Sequence, residues 1–201
     1  MIFQDHIYRI IDYIAAGGIV MVPLVIMSVL MWTLIINRIF FFRRLYRKSM
    51  SRKKASEYVR RGEFPDTRKY RDATSMLVRE FLQRRSGKRT LDRFILDETV
   101  VFIVSSMDKY LALIGTFASL APLLGLLGTV TGMITTFDII SIFGTGNARA
   151  MAGGISVALI TTQTGLVVAI PGLYMSNFLN RRAENIKQRI ASVGIYLRWH
   201  V

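Results

Sequence analysis

The sequence contains no cysteine and only two histidines, His6 and His200, which stand at opposite ends of the chain. Without cysteine the protein forms no disulfide bond and offers no thiolate to a metal. The two separated histidines make no metal-ligand cluster and no Ser-His-Asp arrangement, and no phosphate-binding loop is present. These absences argue against an enzyme and predict no bound metal or cofactor.

Charged residues are missing from three long stretches of the chain. Tyr13–Asn37, Tyr110–Phe137 and Ala150–Asn180 are uncharged over 25, 28 and 31 residues. A helix of about 20 apolar residues is long enough to cross the hydrocarbon core of a bilayer. The sequence therefore predicts an all-α membrane protein with three transmembrane helices, at residues 15–41, 110–138 and 153–180.

The positive charges alternate in the order that three spans require. Of the 27 Lys and Arg residues, 19 lie in the segment Arg43–Lys109, whereas the short connection at 139–152 carries only Arg149. By the positive-inside rule, the segment 42–109 and the tail 181–201 are cytoplasmic, and the N-terminus and the connection 139–152 lie outside. The net charge of +14 is explained by this topology and by anionic lipids, because no aromatic-interleaved basic motif indicates nucleic-acid binding.

Basic residues at the inner ends of the spans are expected to face lipid headgroups: Arg38, Arg43, Arg44, Arg181 and Arg182. Arg38 has a second interpretation, in which it pairs with another group inside the assembly.

Helices are also expected outside the membrane. Residues 1–14 have the spacing of an amphipathic helix, and the cytoplasmic loop breaks at Gly62, Pro65 and Ser86-Gly87. Tyr70, Ala73, Leu77 and Phe81 recur on one face between the breaks. No breaker lies between Leu91 and Gly115, so the second helix is predicted to run from the cytoplasm into the membrane without interruption. The third is predicted to continue into the tail 181–201.

Small residues in the second and third spans favour close helix packing, and the clearest are Gly125, Gly132 and Gly165. Pro171 is predicted to kink the third span, because it removes one backbone hydrogen bond.

Polar side chains share these two spans: Thr129, Thr136, Thr161, Thr162 and Gln163. A single threonine can bond to a carbonyl of its own helix. The Gln163 amide has more hydrogen-bonding positions than that, and it must meet another helix or a wet space. The three uncharged runs contain no Asp, Glu, Lys, Arg or His. A proton carrier would therefore have to come from a partner protein.

Two runs, LAPLLGLLGTVTGMITTF (120–137) and GGISVALITTQTGLVVAIPGLYMSNFL (153–179), closely resemble the ExbB/TolQ/MotA family of stator channels, most of all ExbB. The resemblance implies a ring-shaped homopentamer in the bacterial inner membrane, with the N-terminus periplasmic and the C-terminus cytoplasmic. It also implies two copies of an ExbD- or TolR-like single-span partner inside the ring, whose membrane aspartate carries the proton.

By this resemblance Thr129 and Thr162 match the threonines that line the proton path. Many ExbB proteins have a glutamate where this chain has Val157. The departure leaves Thr161, Thr162, Gln163 and water as the candidate relay.

The implied function is to use the proton motive force, with a TonB-like partner, to energise TonB-dependent transport across the outer membrane. A TolQ-like role in envelope maintenance and a motility role remain alternatives, and sodium remains an alternative ion. A different class of function is a membrane scaffold that conducts nothing, in which the threonines serve only as contacts between helices.

Overall fold

The computed structural model describes residues 12–45, 50–66, 70 and 72–199, and the regular structure in these ranges is helical. Helix α1 spans Met21–Leu45, α2 Arg52–Arg61, α3 Ala73–Arg84, α4 Arg89–Met107, α5 Leu111–Phe143 and α6 Ala148–Arg198. A short 3₁₀ turn, Gly144–Gly146, precedes α6. Residues 12–16 are helical as well, but most of the amphipathic helix predicted at 1–14 lies outside the described residues.

Three helical stretches are long and apolar enough to cross a bilayer: Met21–Leu45, Arg89–Gly146 and Ala148–Arg198. They contain the spans predicted at 110–138 and 153–180 and overlap most of the one predicted at 15–41, and the chain is a multi-pass membrane protein. Large apolar side chains along them, such as Val29 and Leu123, are exposed in the single subunit. Such surfaces are stable against lipid or another helix, because the backbone groups are already bonded inside each helix.

The chain divides into two compact units. The first consists of the described residues up to Ile35 together with Leu113–Ser176. It contains most of the uncharged sequence, and its buried side chains include Leu24, Met31, Ile114 and Ala118. Helix α1 begins at Met21, after a turn in which Gly18 takes the left-handed conformation that glycine adopts at no steric cost. Within the segment 139–152, α5 continues to Phe143 and α6 starts at Ala148.

The second unit consists of Ile36–Ala112 together with the described residues from Asn177 onward. The breaks predicted at Gly62 and at Ser86-Gly87 are confirmed, because α2 ends at Arg61 and α3 ends at Arg84. Gly62 closes α2 in the left-handed conformation, and Asp72 caps the N-terminus of α3 by accepting a bond from Ser75 N. The predicted inner face of α3 is buried at Ala73, Leu77 and Phe81.

The prediction of one uninterrupted helix from the cytoplasmic loop into the second span is wrong. Helix α4 ends at Met107, and α5 begins at Leu111. Between them Tyr110 has φ 67°, and Leu111 N donates to Asp108 O over 3.0 Å. Arg38 supplies donors to the last carbonyls of α4. No glycine or proline marks this turn, so the local sequence gave no signal of it.

Candidate functional site

The candidate site is the contact between α5 and α6, within the first unit. The two helices run antiparallel, because contacts move from Gly115 with Ser176, through Gly125 with Thr161, to Gly132 with Gly154. A methyl group added at Gly165 would lie 2.8 Å from Ala121 O, and one added at Gly132 would lie 2.7 Å from Gly154 O. The small residues therefore let the two backbones touch, as in other membrane helix pairs.

Thr161 and Thr136 lie inside this contact. Thr161 is 0% exposed, and a methyl group at Gly128 would collide with its side chain. Its hydroxyl lies 2.9 Å from Val157 O in its own helix. Thr136 likewise donates to Gly132 O over 3.0 Å and occupies the space in front of Gly154. Both hydroxyls are satisfied within their own helices and pack the pair together; a part in a proton path stays a prediction for them.

Thr129 and Thr162 lie together on one edge of the contact. Gly128 on α5 contacts Thr161 on α6. Thr129 is the residue after Gly128, and Thr162 is the residue after Thr161. One residue turns a helix by about 100°, and in an antiparallel pair the two rotations lead to the same side. Both side chains are half-buried there. Thr162 Oγ1 lies 3.2 Å from Gly125 O across the pair and 3.0 Å from Ala158 O in its own helix.

The surroundings of these two threonines are apolar. The residues on the same edge at neighbouring turns are exposed: Leu126, Met133, Leu159 and Leu166. Thr129 Oγ1 donates to Leu126 O over 2.6 Å, so its hydroxyl oxygen remains free to accept a bond from a group on the open side. The edge therefore presents two hydroxyls at one level of an otherwise apolar surface.

Val157 lies on the opposite edge, away from Thr162. A Cβ at Gly18 would be 3.2 Å from Val157 Cγ1. On the same edge Thr164 Oγ1 lies 3.3 Å from the Tyr13 hydroxyl. Val157 thus faces residues 13–18 of the same chain, and within one subunit it does not join Thr129 and Thr162.

Gln163 points away from the α5–α6 contact and is exposed. Its amide has no hydrogen-bond partner within the described part of the chain. In a membrane the Gln163 amide requires another subunit, a partner or water.

Pro171 lies inside α6 and is half-buried, and a methyl group at the neighbouring Gly172 would lie 2.7 Å from Met31 Sδ.

The residues predicted to line a proton path therefore lie in four different places: inside the α5–α6 contact, on its threonine edge, on the opposite edge and on the exposed face of α6. Sequence reasoning did not single out Tyr13 or Gly18, and nothing in the local pattern pairs either of them with α6. Gly128 lies at helical spacing between Gly125 and Gly132, and this spacing is the signal that places it in the same contact. Within the ranges that the structure describes, no group of three or more His, Cys, Asp or Glu residues is placed to hold a metal ion.

The basic residues at the ends of the spans also differ in their surroundings. Arg43, Arg44, Arg181 and Arg182 are exposed. The lipid-facing expectation for Arg38 is wrong, because this side chain is 3% exposed and donates to Ser106 O and Met107 O at 3.0 and 2.7 Å. It pairs within the protein, as its second interpretation had it.

Comparison with known proteins places these helices in a family. Residues 69–192 match the MotA/TolQ/ExbB proton channel family. Putative biopolymer transport protein ExbB-like 1 of Synechocystis sp. is 31% identical, over 96% of this chain and 79% of that protein. ExbB-like 3 of Synechocystis sp. is 30% identical, over 92% of this chain and 94% of that protein. Biopolymer transport protein ExbB of Pseudomonas putida is 31% identical, over 88% of this chain and 57% of that protein.

The family match spans more than half of the chain, and it includes α5 together with most of α6. The relatives share this identity over most of the present sequence. The chain belongs to the MotA/TolQ/ExbB proton channel family, whose members are channels and not enzymes.

Proposed function

We propose that this protein is the channel subunit of an ExbB–ExbD-like motor, which uses the proton motive force to energise TonB-dependent transport across the outer membrane. The observation that carries the proposal is the edge formed by Thr129 and Thr162, with two hydroxyls at one level of an apolar surface. A protonated carboxylic acid can move along such a surface and donate a hydrogen bond to a hydroxyl oxygen at this level. A charged carboxylate only accepts hydrogen bonds, so it requires a hydroxyl that turns its hydrogen away from the helix carbonyl.

The acid would come from a partner. The three uncharged runs contain no carboxylate, imidazole, ammonium or guanidinium side chain. In the proposed assembly, five copies surround two transmembrane helices of an ExbD- or TolR-like protein, and an aspartate of that partner is protonated from the periplasm and released to the cytoplasm. A proton that crosses 100 mV releases about 2.3 kcal/mol. Movement of the partner inside the ring would transmit this energy to a TonB-like protein.

The proposed orientation follows the charges, with the N-terminus in the periplasm and the C-terminus in the cytoplasm of the bacterial inner membrane. The segment Arg43–Lys109 carries 19 Lys and Arg residues, and the end of α6 adds Arg181 and Arg182. Retention of basic segments on the cytoplasmic side supports this orientation.

The test is the mass of the intact complex, extracted gently from native membranes. Five copies of the 22.9 kDa chain give 114.5 kDa. We expect this mass plus two copies of a small single-span protein, and sequencing that companion would identify its membrane aspartate. A monomer or dimer without such a companion would contradict the motor and leave a membrane scaffold as the better interpretation. A companion from a Tol–Pal-type system would instead assign the chain to envelope maintenance.

A further inference from the structure

A groove in the second unit lies between the last turns of α1 and the beginning of α3. Its volume is about 510 Å³. Apolar side chains form much of its lining, including Phe41, Leu45 and Met76, and two arginines, Arg44 and Arg79, line it as well. A groove of this kind fits a ligand that has both an apolar and an anionic part.

The positive charge of the groove is not neutralised by its own lining. Arg44 and Arg79 are exposed, and neither forms an ion pair within the described residues. Asp72, the acid in the lining, is 2% exposed. Its carboxylate accepts hydrogen bonds from Ser75 N at 3.1 Å and Met50 N at 2.9 Å. The two arginines therefore leave a net attraction for an anion.

The position of the groove along α1 matches the headgroup layer of a bilayer. The uncharged run ends at Asn37, and Arg44 lies seven residues further along the same helix. At 1.5 Å per residue this separation is about 10 Å, slightly more than one polar layer of about 5–8 Å. The groove therefore lies at the inner edge of the headgroup layer, and the long Arg44 side chain can reach back to it. Phe40, on the turn between them, is 67% exposed and continues the apolar surface of the span toward the groove.

We propose that this groove binds one anionic phospholipid. Arg44 and Arg79 hold the phosphodiester, because guanidinium groups match the geometry of phosphate oxygens. An acyl chain covers Phe41, Leu45 and Met76 and continues along the exposed surface of α1 into the bilayer. A soluble phosphate would use the arginines but leave the apolar lining in water, so the mixed lining favours the lipid. The site differs from the helix contact assigned to proton transfer, and it would tie the end of the first span to the cytoplasmic helices.

The test compares two doubly substituted proteins of equal charge. Arg44→Gln/Arg79→Gln removes both cations of the groove, whereas Arg60→Gln/Arg93→Gln removes two exposed cations outside it. Each full-length protein is purified in mild detergent and titrated with dioleoylphosphatidylglycerol or dioleoylphosphatidylcholine, and bound lipid is counted by native mass spectrometry. We expect the unmodified protein to hold one phosphatidylglycerol in preference to phosphatidylcholine. The groove variant should bind it about thirtyfold more weakly, and the control should bind it normally.

Two further readouts separate the possible sources of the anion. Soluble glycerophosphoglycerol should not displace the lipid at equal concentration, and Met76→Ser should weaken lipid binding although it changes no charge. The proposal is overturned if the groove variant binds phosphatidylglycerol as tightly as the control does. Displacement by glycerophosphoglycerol at equal concentration would also overturn it, since the groove would then be a site for a free anion. Circular dichroism of each variant establishes that it is folded before it is compared.

Discussion

Arg38 donates a hydrogen bond from Nη2 to the carbonyl oxygen of Met107 over 2.7 Å, deep inside the second unit. The same nitrogen donates to Ser106 O at 3.0 Å, and the guanidinium carbon lies 4.8 Å from the centre of the Phe41 ring. These carbonyls belong to the last turn of α4, where no backbone N–H is left to bond to them. A cation from α1 therefore caps α4 at the turn that leads into α5.

Replacing Arg38 should destabilise the protein although the new side chain has similar bulk. Arg38→Met leaves one buried and one part-buried carbonyl oxygen without their charged donor, and we expect the free energy of unfolding to fall by about 2–4 kcal/mol. Arg43→Met is the matched control, because Arg43 is exposed on the same helix and its replacement should cost less than about 0.5 kcal/mol. Thermal unfolding in detergent, followed by circular dichroism, measures both. Equal effects of the two substitutions would show that Arg38 does not cap α4.

Tyr110, in the turn between α4 and α5, has φ 67°. This left-handed backbone conformation is unfavourable for any residue that has a Cβ. We expect Tyr110→Gly to be more stable than Tyr110→Ala by about 1 kcal/mol, since both variants lose the ring but only alanine keeps the steric penalty. Both variants lose the contact between Lys109 and the Tyr110 ring, so that contact does not affect the difference between them. Chemical unfolding of the two variants under one condition decides the point, and a more stable alanine variant would contradict the left-handed turn.

Gly128 should be far less tolerant of a methyl group than Gly153. Gly128→Ala drives a Cβ into the buried side chain of Thr161, and we expect a loss of about 1–3 kcal/mol. Gly153→Ala meets nothing within 4 Å and should stabilise α6 slightly, because alanine favours the helix over glycine. Melting temperatures of the two purified variants test the prediction. Restoration of stability in the double variant Gly128→Ala/Thr161→Ala would locate the clash in this one pair.

Thr162→Val should leave the protein assembled but lower its proton-driven activity. Losing one hydroxyl on the proposed path removes about 1 kcal/mol of hydrogen bonding, or about fivefold in rate. Thr162→Ser keeps the hydroxyl and should retain activity. Thr161→Val changes a buried hydroxyl bonded to its own helix, so it should act on stability more than on transport. Proton uptake into vesicles that contain the intact complex is the measurement, and normal uptake by Thr162→Val would remove Thr162 from the path.

Asp92 should make the second unit sensitive to acid. Burial opposes ionisation of this carboxyl, but hydrogen bonds from Ser86, Arg85 and Gly87 outweigh it, so the pKa of Asp92 lies below its ordinary value. A lowered pKa in the folded state contributes stability above the unfolded pKa of about 3.9, and this contribution is lost as pH falls through the folded value.

We therefore expect Asp92→Asn to lower the melting temperature at pH 7, and the difference from the unmodified protein to shrink as pH falls below about 4. Asp97→Asn is the control, since Asp97 is exposed and its nearest cation, Arg198, is 3.8 Å away. A difference that does not change with pH would mean that the charge of Asp92 contributes nothing to stability.

Much of the architecture could be predicted because it depends on strong local patterns. Uncharged runs revealed the spans, and Gly62 and Ser86-Gly87 marked the ends of α2 and α3. The turn at Tyr110 could not be predicted, because it depends on a capping side chain 72 residues earlier in the chain. The burial of Arg38 was hidden for the same reason.

The positions of the polar side chains on α5 and α6 could be predicted only in part from the sequence. Thr161 and Thr162 are adjacent, and the pattern cannot tell which of them faces α5 without the register of the two helices. The contacts of Gly125, Gly128 and Gly132 define that register. They show that the Thr161 hydroxyl is buried, whereas that of the next residue, Thr162, is half-buried.

The two edges of the α5–α6 pair are chemically unlike. One carries Thr129 and Thr162, and the other carries Val157 and Thr164 beside Tyr13. Any closed ring of these chains must join dissimilar surfaces from one neighbour to the next. A carboxylate introduced as Val157→Glu would therefore lie apart from the threonine edge of its own chain, and only an adjacent copy or an inserted helix could bring the two together.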